Sequence, residues 1–492
     1  MVGETVSIPG AELFSGKRVA VVGLGISGVA SLRALSGHTS AILSAWDSKP
    51  GPIESLDVSV DAAAGIDDPT VLAQRILGWE PDIVIVAPGI REVSPLFVAL
   101  ESSGVPVWSE IELAWHLRAV RADGSSAPWL CVTGTNGKTT TVSMIAAILT
   151  KAGLRGAAIG NVGAPAVTAV MRDDDEAPGA FAVELSSFQL RTTHSVASVG
   201  AACLNIADDH LEWHGSREAY WSAKARVYQH TQVACVYPVG DSAVQSMVDG
   251  ADVQEGARAV GITLGIPQVG AVGLVGDVAV DRAFGPTRWN EGVELFELSD
   301  IAHLAPSGSS LPSHIVWDAL TAAALARSAG VEPGPIREAL ASFQGGHHRI
   351  ELIDTVDGVA YVDDSKATNA HAAKASLMGC HDSSVVWIAG GQPKGARFKE
   401  LVGEIVGKLQ AVIVIGTDQE PWHEALDGLA LPVDWISPDS RAPMADAVKA
   451  ASQHASAGST VLLAPASASM DQFTSYADRG QAFAEAVRGI RG

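Results

Sequence analysis

Thr133-Gly134-Thr135-Asn136-Gly137-Lys138-Thr139-Thr140 stands between an apolar run, Trp129 to Val132, and a helical stretch, Thr139 to Ala152, that Gly153 stops. Strand, glycine-bearing turn and helix in that order make a phosphate loop. The glycines let backbone N–H groups surround phosphate oxygens. Lys138 adds a point charge, and Thr139 offers a hydroxyl to Mg²⁺. The spacing is not Gly-x-x-x-x-Gly-Lys-Thr, because position 132 is Val and the leading glycine is Gly134. A lysine that opens a helix is unremarkable by itself. The whole run in this context points to ATP.

Groups that suit the same chemistry follow downstream. Glu184 ends the apolar run Ala180 to Val183, where a carboxylate can hold Mg²⁺ directly or through water. His210, in Asp208-Asp209-His210, comes a few residues after the run Val199 to Leu204. A lone Glu or His is ordinarily structural; paired beside a phosphate loop, the two are candidate metal-shell groups. Ser216 to Gln229 reads as a helix and carries Lys224, by itself a helix-surface lysine. From about Gly240 to Leu311 the pattern weakens to short strands and loops. Ser313 to Ser328 and Pro335 to Ser342 read as helices.

Upstream, the strand Arg18 to Val22 runs into Gly23-Leu24-Gly25-Ile26-Ser27-Gly28 and a helix, Ser27 to Leu35. Such a turn lets backbone N–H groups approach a diphosphate at a helix N-terminus. Asp47 ends the next strand, Ala41 to Trp46, 19 residues after Gly28, where an acidic side chain can bond a ribose hydroxyl. NAD(P), FAD, another nucleotide diphosphate and a plain packing turn all remain open. Asp82 to Ala87 is a further buried strand. Beyond Gly345-Gly346, strands at Val385 to Ala389, Ala411 to Ile415 and Val461 to Ala464 alternate with helices near Ala396 to Lys408, Met444 to His454 and Gln481 to Val487. Three polar runs accompany them: Asp363-Asp364-Ser365-Lys366-Ala367-Thr368-Asn369, Gly390-Gly391-Gln392-Pro393-Lys394-Gly395 and Ser467-Ala468-Ser469-Met470-Asp471-Gln472-Phe473. The first is compatible with an ordinary cap and turn. The other two sit at the carboxyl ends of strands, where ligands bind in open α/β sheets, and hydroxyls and lysines gathered there suit a small dicarboxylic acid.

The expected fold class is therefore α/β. With 492 residues, and roughly 150 per domain, about three domains are expected. Apolar residues make up 47% and charged residues 18%, enough for packed cores. The formal net charge of −22 argues against broad contact with nucleic acid or an anionic membrane. Cys131, Cys203, Cys235 and Cys380 form no Cys-x-x-Cys pair, which argues against a disulfide framework or a zinc site. Met1 to Gly16 lacks a basic-then-apolar signal pattern, and no stretch reads as a membrane span. The expectation is a cytoplasmic protein, without membrane insertion and monomeric.

These segments together resemble the Mur ligase family. The resemblance rests on Gly-Thr-Asn-Gly-Lys-Thr, Glu184-Leu-Ser-Ser-Phe-Gln, the helix with Lys224, His348-Arg349 and Asp-Asp-Ser-Lys-Ala-Thr-Asn, in collinear order from about Gly23 to Arg479. The last run, with Ala-Ser-Met-Asp-Gln-Phe, is similar to that of the family's D-glutamate-adding branch. The resemblance implies a UDP-binding Rossmann-like domain (1–118), a central P-loop ATPase-like domain (119–345) and a Rossmann-like C-terminal domain that takes the amino acid (346–492). It implies that ATP drives the joining of D-glutamate to UDP-N-acetylmuramoyl-L-alanine through an acyl phosphate, in peptidoglycan synthesis.

The same resemblance assigns residues. Lys138, Glu184, His210, Lys224 and Arg349 would be catalytic. Gly134, Thr135, Asn136, Gly137, Lys138, Thr139, Thr140, Asp318, Arg349, Asp364 and Lys366 would bind ATP. Gly25, Ile26, Ser27, Asp47, Ser48, Gly89, Asn161 and His210 would take the UDP substrate, and Thr368, Lys394, Ser469 and Tyr476 the D-glutamate. Thr139, Glu184, His210 and Lys224, the last as a carbamate formed with CO₂, would hold two Mg²⁺ ions. Two stretches depart from the family pattern, at three positions, Ile315, Asp318 and Tyr476. His314-Ile315-Val316-Trp317-Asp318 replaces His-Asn-x-x-Asn, so Ile315 brings no side-chain hydrogen bond to adenine, and Tyr476 stands where Phe is expected. Competing readings are another amide ligase of the superfamily (folylpolyglutamate synthase, or the alanine-, diamino-acid- or dipeptide-adding muramyl ligases), an NAD-dependent oxidoreductase and a non-catalytic nucleotide-binding protein. Asp-Ser-Lys-Ala-Thr-Asn argues against the first, the phosphate loop against the second, and the set Lys138, Glu184, His210 and Lys224 against the third.

Overall fold

The computed structural model describes residues 7–121, 123–172, 174, 176–305, 311–346 and 348–490. It holds three sheets among these residues. In the first, β1 (Arg18–Val22), β2 (Ile42–Asp47), β3 (Ala62–Gly65), β4 (Ile83–Val86) and β5 (Val107–Trp108) run parallel in the order β3-β2-β1-β4-β5. Successive residues of β1 serve opposite faces, as strand geometry requires. Val19 and Val21 join Leu32 and Leu35 of the helix Ile26–His38, while Ala20 and Val22 join Leu72, Ile76, Phe97 and Leu100 of the helices Pro69–Gly78 and Pro95–Ser102. With helices on each face the strand has no solvent side, and a continuous apolar run results.

The second sheet comprises β6 (Trp129–Thr133), β7 (Gly156–Gly160), β8 (Ala180–Glu184), β9 (Gly200–Cys203), β10 (Ala234–Pro238), β11 (Arg258–Ile262), β12 (Ala271–Val275), β13 (Val278–Asp281) and β14 (Val293–Glu297). Their order is β14-β13-β12-β11-β10-β9-β6-β8-β7, with only β13 and β14 antiparallel to their neighbours. The chain builds one side of β6 with β7 and β8, then crosses to β9 on the other. The carboxyl end of β6 is thus a topological switch point, where α/β sheets open a crevice. The stretch read as short strands and loops after Gly240 also contains a helix, Ser242–Asp249, capped by Asp241. Only Val244 and Met247 of that helix are buried, too few to show a period.

Both sheets belong to one compact unit, Met1–Glu297 with Asp318–Ala341, and share a core that joins Val19, Leu32 and Ile111 to Trp129, Ile159 and Val183. The helix Glu110–His116 forms the seam. Ser109 caps it by accepting from Glu112 N–H, and its own N–H donates to Thr192 O at 2.8 Å. The buried Glu112 carboxylate accepts from the N–H groups of His194 (2.7 Å) and Ser195 (3.0 Å) and from the Ser195 hydroxyl. Burial alone would raise this carboxyl, but hydrogen bonds from His116, His194 and Ser195 hold it down at about 2. A depressed folded-state value stabilises the fold above the ordinary 4.5, and that stabilisation is lost as pH falls toward 2. Glu112→Gln is expected to cost about 3 kcal/mol at neutral pH. Urea unfolding should show the gap from wild type closing between those two pH values; a gap constant with pH would refute the assignment.

The second unit is Leu298–Trp317 with Ser342–Gly492. Its sheet contains β15 (Glu351–Val356), β16 (Val359–Asp363), β17 (Val385–Gly390), β18 (Leu409–Ile415), β19 (Val433–Trp435) and β20 (Thr460–Leu463), in the order β15-β16-β20-β17-β18-β19. All pairs are parallel except the β15–β16 hairpin, which the sequence pattern does not announce. The last helix, Tyr476–Gly489, begins five residues before the expected Gln481, because the Ser475 hydroxyl accepts from Asp478 N–H and caps it there. No helix among the described residues is long and apolar enough to cross a membrane.

Candidate active site

The phosphate-loop residues sit at the β6 switch point. Gly137 has a φ of +85°, and a Cβ there would lie 2.5 Å from an Asp318 carboxylate oxygen, so both the backbone and the space demand glycine. Asn205, which the sequence reading passed over, clamps the loop. Its side-chain oxygen accepts from Asn136 N–H at 2.9 Å, its amide donates to Asn136 O at 3.2 Å, and its carbonyl accepts from Thr135 N–H at 3.1 Å. The Thr135 hydroxyl lies 3.1 Å from Tyr220 OH and accepts from Ala207 N–H at 3.0 Å. A polar residue just beyond the end of β9 was the available signal for Asn205. Lys138 Nζ folds back onto the loop, donating to the carbonyls of Gly134 and Thr135 at 2.9 Å each. Thr140 follows Thr139 in the first turn of the helix Lys138–Lys151.

Thr139 and Glu184 meet: the hydroxyl donates to one carboxylate oxygen at 2.7 Å, and the Asn161 amide donates to the other at 3.0 Å. This hydroxyl and carboxylate form the hard oxygen donor set that Mg²⁺ takes. Lys224, in the helix Arg217–Ala225, is not at the surface; it is 2% exposed. Its Nζ donates to Gly134 O at 2.8 Å and to Thr133 Oγ1 at 3.3 Å. Burial, helped by the neighbouring Lys138 charge, pushes its ammonium down to about 7. His210 has a φ of +53° and a ring centroid 4.7 Å from that of Phe188. Asp318, expected at adenine, accepts from the Thr141 hydroxyl at 3.1 Å in the first turn of the loop's helix.

In the N-terminal sheet the glycines divide by role. A Cβ on Gly28 would strike Gly23 O at 2.0 Å, so Gly28 allows the turn to close, whereas Gly25 and Gly89 face open space. Asp47 holds the turn, accepting from Leu24 N–H at 2.7 Å and Lys49 N–H at 3.0 Å, with Ser48 beside it. Ile26 is 83% exposed. Next to this turn, a cleft is lined by Ser27, Ile90, Phe97, Phe188, Gln189 and Trp213.

In the second unit, loops after β16 and β20 are joined by a residue that the sequence reading did not single out. Arg479 is fully buried and donates to Ser365 Oγ and Ser365 O at 2.9 Å, to Ser467 O at 3.0 Å and to Ala468 O at 3.3 Å. Gln392 and Ala468 exchange backbone hydrogen bonds at 2.8 and 3.1 Å. Lys366 Nζ lies 3.8 Å from the Tyr476 ring centre. Asp364 is buried, accepts from the Ser376 hydroxyl and is pushed up to about 7 by that burial. Thr368 N–H donates to Lys366 O at 2.8 Å; Ser469 is buried, Lys394 is exposed, and Arg349 is half-buried. His348, Glu351 and Asp363 cluster as metal ligands do, but His348 Nδ1 and Asp363 already pair at 2.6 Å.

Comparison with known proteins adds a second kind of observation. Residues 132–262 match the Mur ligase middle domain, and residues 348–467 the Mur ligase, glutamate ligase domain. A UDP-N-acetylmuramoylalanine–D-glutamate ligase of Streptomyces avermitilis is 46% identical over 97% of this chain and 99% of its own. The protein of that name in Thermobifida fusca is 43% identical over 97% and 99%. Among solved structures, the UDP-N-acetylmuramate-alanine ligase of Thermotoga maritima aligns with a TM-score of 0.54 at 17% identity, covering 96% of this chain and all of that one. A second ligase of that organism, solved in complex with ADP, aligns with a TM-score of 0.53 at 15% identity, covering 98% and 97%.

Proposed function

Since the chain belongs to the Mur ligase family, we propose that it joins D-glutamate to UDP-N-acetylmuramoyl-L-alanine at the expense of ATP, in the synthesis of the peptidoglycan precursor. The observation that carries this reading is the phosphate loop at the β6 switch point with Glu184 and Lys224 against it, in a chain 46% identical along nearly its whole length to a ligase of that name.

A carboxylate and an amine exchange a proton rather than condense, so the carboxylate must first be activated. Transfer of the γ-phosphoryl group from ATP to a carboxylate oxygen makes an acyl phosphate and releases ADP; the D-glutamate amine then attacks the acyl carbon and gives up a proton, and phosphate leaves with that oxygen and the electron pair of the broken C–O bond. Carboxylate and triphosphate repel each other. Lys138 would counter that repulsion once its Nζ exchanges the loop carbonyls for phosphate oxygens. Glu184 and Thr139, already hydrogen-bonded, would hold Mg²⁺, with His210 in the surrounding shell; the ion supplies charge neutralisation of the phosphates. Lys224 would carry a carbamate, formed as its neutral amine adds to CO₂ and releases a proton, to hold a second ion.

Gly25, Ile26, Ser27, Asp47, Ser48 and Gly89 with the adjoining cleft would take the UDP-sugar, and Asn161 and His210 its reacting end. Arg349, Asp364 and Lys366 would serve the nucleotide, and Thr368, Lys394, Ser469 and Tyr476 the D-glutamate carboxylates. The domains would divide as 1–118, 119–345 and 346–492, in a monomer of the cytoplasm. Phosphate release tests the reading: turnover is expected with UDP-N-acetylmuramoyl-L-alanine, ATP and D-glutamate, and not with L-glutamate, L-alanine, diaminopimelate or D-alanyl-D-alanine. Turnover with one of those in place of D-glutamate would overturn the amino-acid assignment.

A further inference from the structure

Four side chains, Ser187, His214, Glu92 and Arg191, form a continuous hydrogen-bonded relay beside the cleft with Glu101 at its outer end, and none of the five has a part in the reaction as derived above. Arg191 donates from Nε to Glu92 Oε1 at 2.5 Å and from Nη2 to Glu101 Oε1 at 2.5 Å. Glu92 Oε2 lies 3.0 Å from His214 Nδ1, and His214 Nε2 lies 2.9 Å from Ser187 Oγ. The chemistry fixes the direction of each bond. An ionised carboxylate only accepts, so Nδ1 carries the proton of a neutral imidazole, Nε2 accepts, and Ser187 donates. Burial holds the His214 imidazole below its ordinary value, which favours that neutral form.

Serine, histidine and glutamate in this order also resemble a nucleophile with its base. However, Ser187 is 2% exposed and His214 3%, so the hydroxyl has no access to a substrate. What the relay does is mechanical. Glu92 and Glu101 bracket the segment from the loop after β4 to the end of the helix Pro95–Ser102. Arg191 ends the helix Ser187–Arg191, and its guanidinium also sits 5.3 Å from the Phe97 ring centre. His214 ends the helix Leu211–His214. Each relay residue is a near neighbour in sequence of one that lines the cleft: Glu92 of Ile90, Ser187 of Phe188, Arg191 of Gln189, and His214 of Trp213. The Phe188 and Trp213 rings lie against each other, tilted by 32° with centroids 4.6 Å apart, and both line the cleft.

We propose that the Ser187–His214–Glu92–Arg191 relay is a positioning device for the nucleotide-sugar substrate: it locks the loop after β4 against the two short helices and so presets the wall against which that substrate lies. The proposal rests on reading the cleft as part of the UDP-sugar site. Pre-organisation of this kind lowers the ordering cost of binding. It should therefore act on affinity for one substrate and leave ATP alone.

Calorimetric titration of the full-length protein with UDP-N-acetylmuramoyl-L-alanine, and separately with Mg-ATP, tests this in wild type, Glu92→Gln, Ser187→Ala and the double variant. Each single change is expected to weaken nucleotide-sugar binding about tenfold with ATP binding within twofold. The double variant should be no weaker than the weaker single, because both changes cut one relay. Nucleotide-sugar affinity within twofold of wild type in the singles would overturn the proposal. So would equal losses for ATP together with a lowered melting temperature, the signature of a merely structural role, or losses that multiply to about a hundredfold in the double. A wild-type protein that fails to bind the nucleotide sugar would instead overturn the functional reading, and the relay's role with it.

Discussion

Lys224→Ala is expected to lower turnover at least about a hundredfold while ATP still binds, because on the mechanism proposed above the substitution removes the buried amine that would carry the carbamate. Three features of its surroundings argue for this. The Nζ is 2.8 Å from Gly134 O, at the first residue of the phosphate loop. It is nearly fully buried and beside the Lys138 charge, so an ammonium there is held down at about 7. The neutral amine, the only form that adds CO₂, is therefore well populated at neutral pH, as it is not for an exposed lysine. The sign follows: below pH 7 the ammonium dominates and carbamate is lost, so wild-type activity at limiting CO₂ should fall as pH drops through 7 and return when bicarbonate is added. Lys224→Arg keeps a cation but cannot carry a carbamate and should be as inactive as the alanine variant. Initial rates in CO₂-depleted buffer measure all of this. Full activity in Lys224→Ala would refute any chemical role, and full activity in Lys224→Arg would reduce the role to charge.

Local patterns explain what the sequence made legible, and contacts between distant residues explain what it hid. The phosphate loop reads directly because glycine spacing, Lys138 and Thr139 lie within eight residues. The strand-end positions of Glu184, Gly390 and Ser467 follow from short apolar runs. The burial of Lys224 was not readable, since a helix-surface lysine and one turned under a loop 90 residues away share the same neighbours in sequence. Asn205 escaped for the same reason, and so did the Glu92–His214 contact, which spans 122 residues. The hairpin Glu351–Val356 to Val359–Asp363 stayed hidden because its first strand is mostly part-exposed and lacks an apolar run. Asp318 shows how an assignment by position can gain a second meaning: its carboxylate accepts from Thr141, so whatever it does for adenine it also braces the loop's helix.

Arg479→Ala is expected to destabilise the second unit by about 3–5 kcal/mol, the range for losing one member of a buried charged network. The guanidinium is 0% exposed and makes hydrogen bonds of 2.9 to 3.3 Å to Ser365 Oγ, Ser365 O, Ser467 O and Ala468 O. Burial pushes it down to about 10, still protonated at neutral pH, so all of its donors are present. Truncation leaves the buried Ser365 and Ser467 carbonyls without a donor, while Ala468 O keeps Gln392 N–H, and it leaves a void the length of the side chain; each unmet group costs about 1–3 kcal/mol. For a unit of this size that corresponds to a melting temperature about 10 °C lower. Arg479→Lys should recover less than half, because one ammonium cannot reach two loops at once with the fork geometry of a guanidinium. The loss should also reach function. Ser365 leads into Thr368, and Ser467 into Ser469, the residues proposed above for D-glutamate; on that assignment, freeing those loops should raise the KM for D-glutamate more than that for the UDP-sugar. Calorimetric melting and the two KM values measure both halves. A melting temperature within about 2 °C of wild type would mean that the loops hold their shape without the arginine, and the network would then be a consequence of the fold rather than a cause of it.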